Sequence, residues 1–346
     1  MTPIYNQLLI PFLTAMVVAI TMGGSGTAPA FSASYGANVM RKSLIPGLFG
    51  IMVFVGAFLA GKKTASTMGS GILPAEYMDF TVVSIALFSI AVTMLISNIS
   101  GIPQSTSQAA VLALAAPALY FGRLDTHNLF IEIIPAWFIL PIISYFLSFF
   151  AGKYIYQPMR RRGLTIQRAQ NENKRHIWDI VLVIMALYVS FAIGSNNVAN
   201  AASECKPNKE IANELHIRES DHIVILMLAT LVVAPCFGIG ASLFGHKILK
   251  NTGKEIILFG KFEAVIIAFI SGSLLLLASV VKGIPTSLVQ VNVAAILGIG
   301  VAKMGHKNIF RKTQVKRFFT MWMIAPVISF LLSLLLIFLA DKANLL

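Results

Sequence analysis

Two short stretches of this chain carry the same polar chemistry at the same spacing. Residues 101–108 read GIPQSTSQ and residues 283–290 read GIPTSLVQ. Each has Gly-Ile-Pro, a Ser two residues after the Pro (Ser105, Ser287) and a Gln three residues further on (Gln108, Gln290); the first adds Thr106 and Ser107, the second Thr286. Proline ends one helix, and a small hydroxyl residue after it opens the next. The backbone N–H groups freed there, together with the hydroxyls, are what holds an anion at a helix N-terminus. No His or Asp lies close in sequence to Ser105 or Ser287. A nucleophile-and-base arrangement is therefore missing, and the chain does not read as an enzyme. A second echo opens each half: GGSGTAPA at 23–30 and GSNNVANA at 194–201. Gly and Asn tolerate local unwinding, and amide oxygens coordinate ions or accept hydrogen bonds, so Ser25, Thr27, Asn196, Asn197 and Asn200 join the candidates. For Gly23–Ala30 the competing reading is close helix packing through small residues.

These residues sit between long apolar runs. Of 346 residues, 57% are hydrophobic and 12% charged, and the mean hydropathy is +0.79. Apolar runs recur near 8–22, 44–60, 80–99, 109–121, 128–151, 177–193, 223–244, 256–281, 288–302 and 318–340. Several reach the roughly 20 residues that cross a bilayer. The chain reads as an all-α polytopic membrane protein of the cell membrane, with no removable signal peptide. The net charge of +13 follows topology and does not imply nucleic acid. Placing 153–176, 303–317, 246–254 and Arg41-Lys42 in the cytoplasm puts eighteen basic residues inside and six outside. Both termini then lie outside the cytoplasm. The runs 80–99 and 104–121 form a re-entrant hairpin from the outer side, and 256–302 form one from the inner side. The expected organisation is two inverted-topology repeats, 1–152 and 178–346, each with a broken first helix and a re-entrant helical hairpin, joined by a basic cytoplasmic linker at 153–177. Cys205 and Cys236 lack metal spacing, and the six His fall at run edges or in loops. No metal and no cofactor is expected.

GSNNVANA followed by a GIPxS element, each with a partner in the other half, resembles the inorganic phosphate transporter (PiT) family, whose signatures are GANDVANA-like and GLPVSTTH-like. The resemblance covers nearly the whole chain. It implies an inverted-repeat carrier whose hairpin tips and broken first helices enclose an oxyanion. Position by position it carries over Ser105, Thr106 and Ser107 with Gln108 in place of His; Ser287 with Leu288 and Val289 in place of two Thr; and Ser25, Thr27, Asn196, Asn197 and Asn200. The family's carboxylate in each repeat is here Gly26 and Asn197, while Lys282 precedes the second tip. A site without carboxylates and with an added ammonium favours a dianion that only accepts hydrogen bonds, and GGSG resembles the degenerate first motif of the family's sulfate permease branch. The expectation is import of sulfate, with phosphate as the alternative substrate and an anion channel as the alternative class. The coupling cation is a proton or sodium, with a lean to the proton. Glu263, Asn200, Gln108 and Gln290 are the coupling candidates. The lipid bilayer is a partner, and a homodimer is compatible with the sequence.

Overall fold

The structure is a computed structural model that describes residues 3–36, 39–162, 172–198, 201, 221–249 and 260–346. No strand occurs among the described residues. The frame is α1 (Pro3–Gly36), α2 (Ile45–Ala60), α3 (Lys62–Ser70), α4 (Phe80–Ser100), α5 (Thr106–Tyr120), α6 (Ile134–Ala151), α7 (Glu172–Ile193), α8 (Asp221–Leu243), α9 (Lys261–Leu277), α10 (Leu288–Met304) and α11 (Thr313–Lys342). Seven stretches among the described residues are long and apolar enough to cross a membrane, and α5, α10 and Ala229–Leu243 are shorter apolar helices.

The helices are apolar on their outer faces, and buried polar residues are set within the apolar core. On α6, Phe138, Ile142, Phe146 and Phe150 are exposed at every fourth position, while Trp137, Ser144 and Ser148 are buried. Water would not tolerate such an outer face, whereas lipid does, and lipid requires polar groups to find partners within the bundle. The protein is an integral membrane protein. Helix continues beyond α6 through π-helical turns at Gly152–Tyr156 to Arg161, and α7 begins at Glu172, so helix enters the basic linker from both ends.

Helices of one half pack on helices of the other. α1 lies on α8, α2 on α7, α5 on α11 and α6 on α10. Glycines set the closest approaches. A Cβ at Gly23 would stand 2.2 Å from the carbonyl oxygen of Phe237, and one at Gly240 1.8 Å from that of Ile20. The α2–α7 crossing repeats this with Gly56 against Phe191 and Gly194 against Val53, at 1.9 and 2.0 Å. Backbones this close exchange dispersion energy that larger residues would block.

These crossings correct one expectation. α1 is not broken: it runs as continuous helix through Gly23–Ala30. Its small residues serve the α8 crossing, and the helix carries on through them even though Pro29 withholds a backbone donor from the carbonyl of Ser25. In the second half the expected irregularity is present. α7 passes at Ile193 into π-helical turns over Gly194–Val198. Asn200 lies outside the described residues.

Candidate functional site

Each GIPxS stretch forms the tip of a helical hairpin, and both tips are built alike. α4 ends in Gly101 at φ 71°, and the π-helical turns Ala278–Lys282 that follow α9 end in Gly283 at φ 66°. Only glycine adopts this left-handed conformation without strain. The chain then extends through the proline to Ser105 and Ser287, whose hydroxyls cap α5 and α10 by accepting from the N–H groups of Gln108 (3.2 Å) and Gln290 (3.3 Å). The two glutamines meet face to face. Gln108 Nε2 donates to Gln290 Oε1 at 3.1 Å, and Gln290 Nε2 donates to Gln108 Oε1 at 2.9 Å. These two coupling candidates therefore satisfy each other and join the tips.

Asn196 fastens the π-helical segment of the second half to both tips. Its Nδ2 donates to Ser279 Oγ (2.8 Å) and to the carbonyl of Ile284 (3.1 Å). Its Oδ1 accepts from the N–H of Thr286 (3.3 Å) and lies 3.0 Å from Ser107 Oγ. Ser107 also reaches the carbonyl of Thr286 at 2.9 Å. Ser105, Thr106, Ser107, Thr286, Ser287, Asn196 and Asn197 are all buried. Trp137 Nε1 completes the second tip by donating to the carbonyl of Pro285 (3.0 Å).

Other expected residues lie elsewhere. Ser25 donates to Asn98 Oδ1 (2.8 Å), and Asn98 Nδ2 donates to the carbonyl of Thr21 (2.7 Å), which ties α1 to α4. Thr27 bonds back to the carbonyl of Gly23 (2.6 Å) and packs on Gly245. Lys282 is exposed just before Gly283, on the outside of the turn whose buried side carries Thr286 and Ser287. Gly26 faces the buried Phe49 ring, 3.1 Å from where a Cβ would stand.

Glu263 sits in the first turn of α9, twenty residues before Gly283, which at 1.5 Å per residue is roughly 30 Å from the tip. It is fully buried, accepts from Lys303 Nζ at 2.9 Å and accepts from the N–H of Gly260. Its partner is Lys303 on α10, whereas Lys261 pairs with Asp179. A carboxylate bonded to an ammonium and to a helix N-terminus, that far from the tips, has the geometry of a structural ion pair. We expect Glu263→Gln to act on stability. Replacing the Glu263 carboxylate by an amide weakens its bond to Lys303 in a largely buried place and should cost about 1–3 kcal/mol, less than for a fully buried pair because the Lys303 side chain is partly exposed. Thermal unfolding in detergent should show a lower midpoint, while the cation-to-anion stoichiometry in proteoliposomes stays as in the parent protein. An altered stoichiometry with an unaltered midpoint would reinstate Glu263 as the proton carrier.

Two further sets of residues complete the tips, and sequence reasoning missed both. Lys63 on α3 donates to the carbonyl of Val281 (3.1 Å), and Lys247 in the short helix 245–249 donates to that of Ile99. Both carbonyls belong to the last turn before a tip glycine, and each lysine comes from the opposite half. On α6 and α11 the stretches WFILPIISYFLS (137–148) and WMIAPVISFLLS (322–333) place Trp, Pro, Ser and Ser at identical intervals. Ser144 donates to the carbonyl of Val291 (2.8 Å), while Ser329 and Ser333 donate to those of Ala109 (2.8 Å) and Ala113 (2.7 Å). The signal that could have found them was in the sequence, as the internal echo of these twelve residues and of GKKTA with GHKIL.

The model of the phosphate transporter family matches residues 22–333. The chain belongs to this family of transporters. It is 30% identical over 339 residues to the sulfate permease CysP of Bacillus subtilis, covering 97% of this chain and 89% of that one. It is 24% identical to the putative phosphate permease MJ0630 of Methanocaldococcus jannaschii, covering 95% of each. A solved structure described as the sodium-dependent phosphate transporter superposes with a TM-score of 0.82 at 18% identity, over 97% of this chain and 99% of that chain. That likeness establishes the fold for this family member.

Proposed function

We propose that the protein is a secondary carrier that imports an inorganic oxyanion, sulfate in preference to phosphate, by alternating access. One observation carries the substrate reading: among the described residues the only fully buried acidic side chain is Glu263, at the far end of α9. The polar groups around the tips are hydroxyls, amides and helix N-termini. Such a set donates to a fully deprotonated dianion and places no negative charge beside it. Lys282 does not belong to the set, because it is exposed on the outer side of its turn.

In this reading the repeats 1–152 and 178–346 have inverted topology, the hairpins are re-entrant, and the linker 153–177 lies on the cytoplasmic side with both termini outside. The crossed contacts support it, since each tip is held by α6 or α11 and by a lysine of the other half. Moving a dianion inward against a negative-inside potential costs about 2.3 kcal/mol per charge per 100 mV, which makes cation coupling necessary for accumulation. A proton is preferred to sodium because both carboxylate positions of the family motif are occupied by Gly26 and Asn197. Phosphate is the second reading. Gln104 Oε1 and Asn197 Oδ1 are buried without partners and could accept from the O–H of hydrogen phosphate.

Uptake of radiolabelled sulfate and phosphate into proteoliposomes, under imposed proton or sodium gradients, tests the proposal. Saturable, proton-stimulated sulfate uptake with counterflow from preloaded vesicles is expected. Phosphate uptake indifferent to excess sulfate would reverse the substrate, and flux without saturation or counterflow would indicate a channel.

A further inference from the structure

We propose that Gln104 is a ligand of the transported anion and, with Thr286, sets the site's preference for a tetrahedral inorganic dianion. The proposal rests on the oxyanion-carrier reading above. Eight buried side-chain N and O atoms among the described residues have no hydrogen-bond partner; four of them are Gln104 Nε2, Gln104 Oε1, Thr286 Oγ1 and Asn197 Oδ1. Half of the unsatisfied atoms thus fall on the two tips and the π-helical segment beside them. Gln104 is completely buried with both ends of its amide unbonded. Leaving a primary amide desolvated and unpaired is among the costlier arrangements in a protein interior, and it persists where a ligand later supplies the partner.

Its place in the fold says which ligand. Gln104 directly precedes Ser105, the cap of α5, and Thr286 directly precedes Ser287, the cap of α10. The same position of both tips is therefore polar and unsatisfied, where the family signature has Val. The Thr286 backbone already lies against Ser107 and Asn196, which brings the second tip to the first. An anion seated at the two helix N-termini would receive donors from Gln104 Nε2 and Thr286 Oγ1, in the field of those two helix ends. These two donors, one from each tip, would meet different oxygens of one tetrahedral anion.

Gln104→Val separates this role from a structural one. With no bonds to lose, the variant should unfold in detergent at or above the parent midpoint when substrate is absent. Its stabilisation by sodium sulfate, measured against sodium chloride at equal ionic strength, should vanish, and KM for sulfate in proteoliposomes should rise about tenfold or more, the ordinary effect of removing a hydrogen bond to a charged group. A lowered substrate-free midpoint with an unchanged KM would overturn the proposal and make Gln104 a structural residue. If the parent protein responds to neither sulfate nor phosphate, the carrier reading fails first.

A separate observation supports a second inference. Trp322 and Ser148 are the counterparts of the bonded Trp137 and Ser333, yet Trp322 Nε1 and Ser148 Oγ are buried without partners. By the matched spacing of α6 and α11, their missing acceptors are the carbonyls of Pro103 and Ala295. Ile102, next to Pro103, already packs in the same apolar cluster as Trp322, and Ser148 Cβ lies 3.1 Å from where a Cβ on Gly298 would stand. We infer that these two bonds form in the other access state, as α6 and α11 shift against the hairpins. Trp322→Phe should then lower Vmax two- to tenfold with an unchanged unfolding midpoint, whereas Trp137→Phe should lower the midpoint itself. A Trp322→Phe protein with parental Vmax, or with a depressed midpoint, would refute the inference.

Discussion

Asn197→Asp is expected to abolish sulfate uptake at neutral pH and to leave the protein folded. Asn197 is buried, and its Oδ1 has no partner, so a carboxylate of the same shape displaces no hydrogen bond through that atom. The effect is electrostatic. A unit charge about 4 Å from another is worth roughly 4 kcal/mol at an effective dielectric constant near 20, and a dianion doubles it, so a loss of at least about a hundredfold is expected. Protonation removes that charge, so uptake should return in part as the assay pH falls and the group becomes a neutral donor. Radiolabelled uptake across a pH series gives the answer; parental KM for sulfate at pH 7 would remove Asn197 from the site. The same replacement at Gly26 is a different experiment. A side chain there meets Phe49, so Gly26→Asp should fail by overpacking before charge matters.

The second large effect is expected at Asn196. Its one amide serves Ser279, Ile284, Thr286 and Ser107, which belong to both hairpins. Asn196→Ala leaves the N–H of Thr286 and the carbonyl of Ile284 buried without that partner. At about 1–3 kcal/mol for each orphaned group, the loss should reach roughly 3 kcal/mol or more. A clear drop in the unfolding midpoint and no measurable transport should result. An Asn196→Ala protein with the parental midpoint would mean that the clasp contributes little and that the tips are held by Gln108–Gln290 and Trp137 alone.

Much of this site could be read from the chain. Gly-Ile-Pro-x-Ser specifies a left-handed glycine, an extended proline and a serine cap from local rules alone, and both tips follow them. Where partners are distant, the sequence was ambiguous. Gly-Gly-Ser-Gly is compatible with unwinding or with a tight crossing, and only α8, more than two hundred residues away, decides for the crossing at α1. The same ambiguity at Gly194 resolves both ways at once, since that glycine touches Val53 and also opens the π-helical turns. Glu263 was legible as an unusual acid in an apolar run, whereas its pairing with Lys303 depends on the return of α10. Asn98 looked like one polar residue in a hydrophobic helix, and its role appears only once α1 lies beside it.

The lysines at the tips alter the field that an anion meets. A hairpin tip brings the C-terminus of one helix, carrying about half a negative charge, beside the N-terminus of the next, carrying about half a positive one. To a distant dianion these ends would nearly cancel. Lys63 on the carbonyl of Val281 and Lys247 on that of Ile99 place a full positive charge on each negative end. Each tip then carries a net positive charge, although no cationic side chain stands among Ser105, Ser107, Thr286, Ser287, Asn196 and Asn197. In the proposed carrier, attraction and recognition would thereby be divided: long-range charge would lie at the tip turns, while short-range neutral donors at the centre would release the anion on the far side.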